Sequence, residues 1–281
     1  MNRRRAISLD AELLEEAERR VEATGGDLSA FVSAALRREL LARPRAQPST
    51  DASALAAHAA EYLDAVLARD THRARRVVET ALLAGVSVAD MYTEVFRPAL
   101  HEVGHKWALE EINVAQEHFA TTITQTLIAT LAPESRAVRA DGRLAVVTGT
   151  PEELHLLGAQ MVADLLEREG WEVLSLGAAT PAPDLVELVE LECPDLVALS
   201  ASTAGRLPGV AEVLPRLAAV RPRPLIAVGG GLFTGDAAEV ARDLGADLVV
   251  SDVRALLATL RERFPAQDAE ASTLPGRDRE R

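Results

Sequence analysis

The residues in this chain best suited to chemistry are Glu153 and His155, followed by Gly158, in the run Glu153-Leu154-His155-Leu156-Leu157-Gly158. A neutral imidazole is a good ligand for a borderline transition metal. A carboxylate two residues before it can accept the other ring N–H and so decide which nitrogen is left to bind. The run follows Leu144-Ala145-Val146-Val147-Thr148, an apolar stretch of the kind a buried parallel strand shows. Gly149-Thr150-Pro151 ends that strand, and Leu156, Met161, Leu165 and Leu166 start a helical pattern. Open α/β sheets bind ligands at the carboxyl ends of their strands, which is where His155 would sit. Taken alone, the run reads as a helix start with a capping acid.

Two later segments follow the same plan. Ser200 follows the apolar Asp195-Leu-Val-Ala-Leu199, 41 residues (159–199) after Gly158, with Ser202 just beyond it. Gly229-Gly230 follow Pro224-Leu-Ile-Ala-Val228, 26 residues (203–228) after Ser202. Glycines after a strand let backbone approach a bulky ligand closely. The set resembles the cobalamin-binding domain of methionine synthase, the base-off mutases and corrinoid proteins, with its D-x-H-x-x-G, S-x-L and G-G signature. The resemblance implies that His155 displaces the cofactor's own benzimidazole and ligates cobalt from below. It also implies that the nucleotide tail threads into the sheet beside Gly158, Ser200, Ser202, Gly229 and Gly230. Glu153 stands in place of the usual Asp and keeps the carboxylate, while Ser202 stands where Leu is expected.

Around these motifs, residues 142–265 alternate strand and helix five times. Strands are expected at 143–149, 172–176, 195–200, 224–229 and 247–251, with helices near 155–169, 182–192, 208–220, 235–243 and 253–264. This is an α/β doubly wound, Rossmann-like parallel five-stranded sheet covered on both faces. Gly229-Gly230-Gly231 ends the fourth strand and does not open a G-x-G-x-x-G unit, so it is no dinucleotide fingerprint. Trp171 begins a strand and is assigned to packing.

Upstream, residues 53–135 are helical, with breaks near Asp70, Gly85-Val86-Ser87 and Glu110-Glu111, which predicts a four-helix bundle with helices of 14 to 22 residues. A bundle directly before such a domain resembles the cap over the cofactor's upper face. Within it, Trp107, Val114 and Glu117-His118 form W-x9-E-H. This resembles the CarH and LitR family of light-sensing, adenosylcobalamin-dependent repressors. The resemblance implies adenosylcobalamin as cofactor, with Trp107 pressing on the adenosyl group and Val114 and Glu117 contacting it. It implies that His118 moves onto cobalt from above once light has broken the cobalt–carbon bond, giving a bis-histidine adduct with His155. Singly, a Trp and a Val seven apart read as bundle core and a helix His as capped by a neighbour. His101 and His105, one turn apart, are assigned as solvated, and His58 and His72 carry no pattern.

Residues 1–42 hold a short alternating strand through Ile7 and Leu9 and then two amphipathic helices, one beginning after Asp10 and one opened by Asp27 or Ser29. So small a unit cannot bury a core alone, which implies at least a homodimer. Its order resembles the ribbon-helix-helix repressors, in which outward strand residues, here Arg4, Ala6 and Ser8, read DNA bases in the major groove. Arg3-Arg4-Arg5 adds charge at that surface. The alternative is a dimerisation arm that does not touch DNA. Residues 43–52 read as a linker and 266–281 as a disordered tail.

Composition bounds the rest. A net charge of −13 argues against nonspecific nucleic-acid binding by the whole molecule while leaving the basic terminus free to act locally. No apolar run reaches about 18 residues, so no membrane span is expected. Cys193 is the only cysteine, which fits a cytoplasmic protein. No acid–base pair, nucleophile triad or phosphate loop appears, so the chain is not expected to be an enzyme. The reading is a light-responsive transcriptional regulator carrying adenosylcobalamin. The alternatives are a light-independent cobalamin-sensing regulator and a corrinoid carrier or methyltransferase component.

Overall fold

The computed structural model describes residues 11–24, 27–32, 35, 51–131 and 142–265. The expected ribbon strand with Arg4, Ala6 and Ser8, most of the linker and the 266–281 tail lie outside the described residues. Helix α1 spans Ala11–Thr24. A helical stretch at 28–32 is opened by Asp27, whose carboxylate accepts the Ala30 N–H at 3.0 Å.

Next come α2 (Ala52–Leu67), α3 (Thr71–Leu83), α4 (Val88–Asp90), a π turn (Met91–Phe96), α5 (Arg97–Ala108) and α6 (Val114–Leu131). These make the four helices of the expected bundle, because α4, the π turn and α5 run on as one. Polar caps set each start. Asp51, Asp70 and Ser87 accept N–H groups from Ser53, Arg73 and Asp90, and Asn113 and Gln116 exchange backbone and side-chain bonds at 3.1 and 3.2 Å. Leu55, Tyr62, Ala65 and Val66 of α2 face Val77 and Val78 of α3 and Ile123 and Leu127 of α6 in one core. The Tyr62 and Phe96 rings lie 4.9 Å apart there. In the π turn all residues but Glu94 are buried. A 3.6-residue helix exposes part of every turn at a bundle surface, whereas a π turn carries an extra residue and rotates the faces before and after it.

The second half contains β1 (Leu144–Gly149), α7 (Leu157–Arg168), β2 (Glu172–Gly177), α8 (Ala182–Glu192), β3 (Leu196–Ser200), α9 (Leu207–Ala219), β4 (Leu225–Gly229), α10 (Asp236–Asp243), β5 (Leu248–Val250) and α11 (Val253–Arg263). The sheet order is β2-β1-β3-β4-β5, with every neighbouring pair parallel. The chain reverses its direction of winding between β1 and β3, the switch point where such sheets leave a crevice. Register aligns Gly149 with Ser200, Ser200 with Gly229, and Gly229 with Val250, so four strands end in one row. Trp171 is buried, with the Arg143 guanidinium 4.7 Å over its ring and Phe264 edge-on, and its role is packing.

Helices α8, α9 and α10 cover one face of the sheet with their own core. On the other face, α7 and α11 share a single core with the bundle. Polar contacts cross that boundary. The Tyr92 hydroxyl donates to Asp164 Oδ2 at 2.7 Å, Arg168 Nε donates to the same oxygen at 2.9 Å, and Arg168 Nη2 reaches the Leu131 carbonyl. Burial, and then the negative charge of Asp164, push the Tyr92 phenol well above its ordinary pKa, so it remains a donor. Arg254 of α11 donates to Asp90, Thr93 and Glu94. Replacing Asp164 by Ala would leave the Tyr92 phenol without its acceptor and the Arg168 guanidinium without its carboxylate at a buried boundary, which is expected to cost about 3 kcal/mol. Urea unfolding at neutral pH measures it. A loss below about 1 kcal/mol would show that the cluster contributes no more than an exposed ion pair does.

Candidate cofactor site

The loop after β1 is tied across the switch point. Thr150 N–H donates to the Ser200 carbonyl and Glu153 N–H to the Thr150 carbonyl, both at 2.9 Å. The Glu153 side chain is 0% exposed. Its Oε1 accepts the His155 backbone N–H at 2.8 Å and lies 2.6 Å from His155 Nδ1, while Oε2 accepts the Ser202 N–H at 2.6 Å. Burial by itself would raise the Glu153 carboxyl, but the two backbone donors and the imidazole outweigh it and hold its pKa below the ordinary glutamate value. An ionised carboxylate only accepts, so Nδ1 carries the proton and Nε2 keeps its lone pair. The His155 side chain is 62% exposed. The result is an imidazole held by its inner nitrogen and open to a metal at its outer one. Because Glu153 holds the His155 N–H, α7 begins at Leu157 and not at 155 as the periodicity predicted.

The other motif residues gather beside it. Gly158, Ser200, Gly229 and Gly230 line one cavity in the crevice above β1, β3 and β4. A Cβ on Gly158 would lie 3.5 Å from Ser200 Oγ and fill the gap between them. Gly230 has φ +109°, and a Cβ there would come 2.3 Å from the Ala201 carbonyl oxygen. The protein's own backbone therefore demands this glycine, quite apart from any ligand. Ser202 does not line the cavity; it joins the site through its main-chain N–H on Glu153. Sequence reasoning missed the residues that close the cavity from the bundle, Tyr92, Thr93 and Arg97, and those from the last residue of β5 onward, Val250 to Val253. The latter were signalled by their place after a parallel strand; the former had no motif.

At the α5–α6 end of the bundle, Trp107 is 51% and Val114 52% exposed. Glu117 Oε2 lies 2.6 Å from His118 Nδ1, Thr121 donates to Glu117 Oε1 at 2.7 Å, and the His118 side chain is 73% exposed. Trp107 and Val114 thus stay outside the bundle core. Helix α5 links this end to the cavity, for Trp107 lies ten residues, about 15 Å, along the axis from Arg97. His101 and His105 are exposed, and among the described residues no group of three or more His, Cys, Asp or Glu is placed to hold a metal ion. A single presented imidazole suits a metal whose other ligands come from a macrocycle, and the neighbouring apolar slot suits a flat appendage of that macrocycle. These residues fit a corrinoid.

Comparison with known proteins agrees. Residues 143–260 match the family described as B12 binding domain, and residues 59–132 match a second family of the same description. Trimethylamine corrinoid protein 1 of Methanosarcina acetivorans is 29% identical over 210 residues, covering 70% of this chain and 96% of that protein. The HTH-type transcriptional repressor CarH of Myxococcus xanthus is 33% identical over 172 residues, covering 60% of this chain and 56% of the repressor. Among solved structures, the Methanosarcina barkeri monomethylamine corrinoid protein superposes with a TM-score of 0.62 at 21% identity, over 72% of this chain and 96% of that one, and so shares the fold. With a B12 binding domain matched in the sheet and another in the bundle before it, the chain is a cobalamin-binding protein.

Proposed function

We propose that this protein is a light-responsive transcriptional regulator that holds adenosylcobalamin between bundle and sheet and acts on DNA through its N-terminal arm. The observation that carries this reading is the α5–α6 end of the bundle, where Trp107 and Val114 are exposed and Glu117 pairs with His118. When bound, adenosylcobalamin supplies a cobalt–carbon bond that visible light breaks. On the sheet side, His155 would be the lower ligand, oriented by Glu153, with Gly158, Ser200, Gly229 and Gly230 around the tail. On the bundle side, Trp107 would press on the adenosyl group and fill the space a mutase leaves for substrate, and Val114 would contact the adenosyl group. Glu117 would contact the adenosyl group as a hydrogen-bond acceptor. His118, with Nδ1 engaged by Glu117, would offer Nε2 as the upper ligand after light. A change at this end, passed through the bundle, would alter how protomers associate and hence the spacing of arms carrying Arg4, Ala6 and Ser8. Switching occupancy cleanly requires the two states to differ in assembly free energy by several kcal/mol.

A corrinoid carrier serving a methyltransferase is the second reading. It is favoured by the span of the likeness to trimethylamine corrinoid protein 1, 96% of that protein against 56% of the repressor. Exposed bulk at Trp107 weighs against it, since methyl transfer needs an open upper face.

The deciding experiment loads the full chain with adenosylcobalamin and records absorption and size-exclusion profiles in the dark and after green light. A spectral change with a change in assembly is expected. Photolysis that leaves assembly and DNA affinity unaltered would sink the light-switch reading in favour of a light-independent cobalamin sensor. Substituting His155 by Ala should abolish the His-ligated spectrum and weaken cofactor binding, and an unchanged spectrum would remove His155 as the lower ligand. Substituting His118 by Ala should leave dark binding within about twofold of wild type and eliminate the stable lit adduct; a lit spectrum identical to wild type would exclude His118.

A further inference from the structure

The cavity that receives the motif residues is built from both halves of the molecule, and its polarity is graded. Its deep wall is apolar and buried, with Val147, Ala198, Ala227 and Leu256. Its mouth is exposed and carries Arg97 and Ser251. Arg97 is the only cationic side chain lining this cavity, and it comes from the bundle, at the first residue of α5. It makes a single bond, from Nη1 to the Ser251 carbonyl at 3.2 Å, and has no carboxylate partner among the described residues. Four guanidinium N–H groups therefore stay available. The carboxylate at the same mouth, Asp252, is used to cap α11 through the Arg254 N–H at 2.9 Å. The buried polar groups on the bundle side are committed too: the Tyr92 hydroxyl to Asp164, and Thr93 Oγ1 to the Ala89 carbonyl and Arg254.

We propose that Arg97 binds the phosphodiester of the cofactor's nucleotide tail, making the helical cap a tail-binding element as well as a cover for the upper face. The inference rests on the cobalamin reading of this site. The tail ends in an apolar aromatic base and is joined to the ring through a ribose and a monoanionic phosphodiester. The apolar wall matches the base, and the lone cation at the mouth matches the anion. A guanidinium forms short, charge-assisted bonds to phosphate oxygens with a geometry that a lysine ammonium reproduces poorly. Because Arg97 opens the helix that carries Trp107 in its last turn, tail docking would also hold the far end of α5 against the ring.

The test compares two ligands on the full chain, titrated in the dark: adenosylcobalamin, and adenosylcobinamide, which keeps the ring, the metal and the adenosyl group but lacks the nucleotide tail. Arg97→Met retains the aliphatic stem and removes the charge. It is expected to raise Kd for adenosylcobalamin about ten- to a hundredfold while leaving adenosylcobinamide within about twofold, and Arg97→Lys should recover part of the loss. Added salt should weaken adenosylcobalamin binding to wild type more than to Arg97→Met. Equal losses for both ligands, or no loss for either, would overturn the assignment of Arg97 alone. Failure of the wild-type chain to bind adenosylcobalamin would overturn it together with the cofactor reading.

Discussion

A carboxylate without solvent has to find all its hydrogen bonds inside the protein, and Glu153 sets the geometry of the site for that reason. Its two oxygens collect one donor from the imidazole two residues on, one from that residue's main chain, and one from the loop after the neighbouring strand. Removing any of them would leave buried negative charge short of a partner, a loss larger than the bond itself contributes. The loops after β1 and β3 are therefore fixed relative to each other, and the imidazole is fixed relative to both. Oε2 meets the Ser202 N–H, so the residue at 202 serves the site through its backbone.

The sheet supports this arrangement by register. Gly149, Ser200, Gly229 and Val250 end their strands in one row, and the crevice opens directly above them where the winding reverses. Spacing along the chain is a consequence: each crossover must climb one helix and return to the same row. The bundle then closes the crevice from the side of α7 and α11, with Arg254 and the Tyr92–Asp164–Arg168 cluster bridging the boundary.

Much of this was legible before any coordinates. Ser200 and Gly229 could be placed because strands and crossovers have narrow length ranges, so residue counts translate into rows. The breaks at Asp70, Gly85–Ser87 and Glu110–Glu111 were legible because caps and glycines interrupt a helix locally. The start of α7 was not, because periodicity counts apolar residues and cannot see a side chain holding the His155 N–H in a loop. Ser202 was expected beside the tail, but its bond to Glu153 was not legible for a related reason: a main-chain donor leaves no trace in residue type. The participation of Tyr92, Thr93 and Arg97 was hidden by the π turn, which breaks the 3.6-residue phase on which assignment of helix faces depends. Gly230 was expected to let backbone approach a ligand, whereas the close neighbour that requires a glycine there is the protein's own Ala201 carbonyl.

The single core running from the bundle into one face of the sheet has a consequence for how such a molecule can change over evolutionary time. Cap and sheet are not two parts joined end to end: cutting the chain after Leu131 would strip an apolar face from each. Substitutions at the shared boundary must therefore be accepted on both sides at once, and the pair diverges as one heritable block.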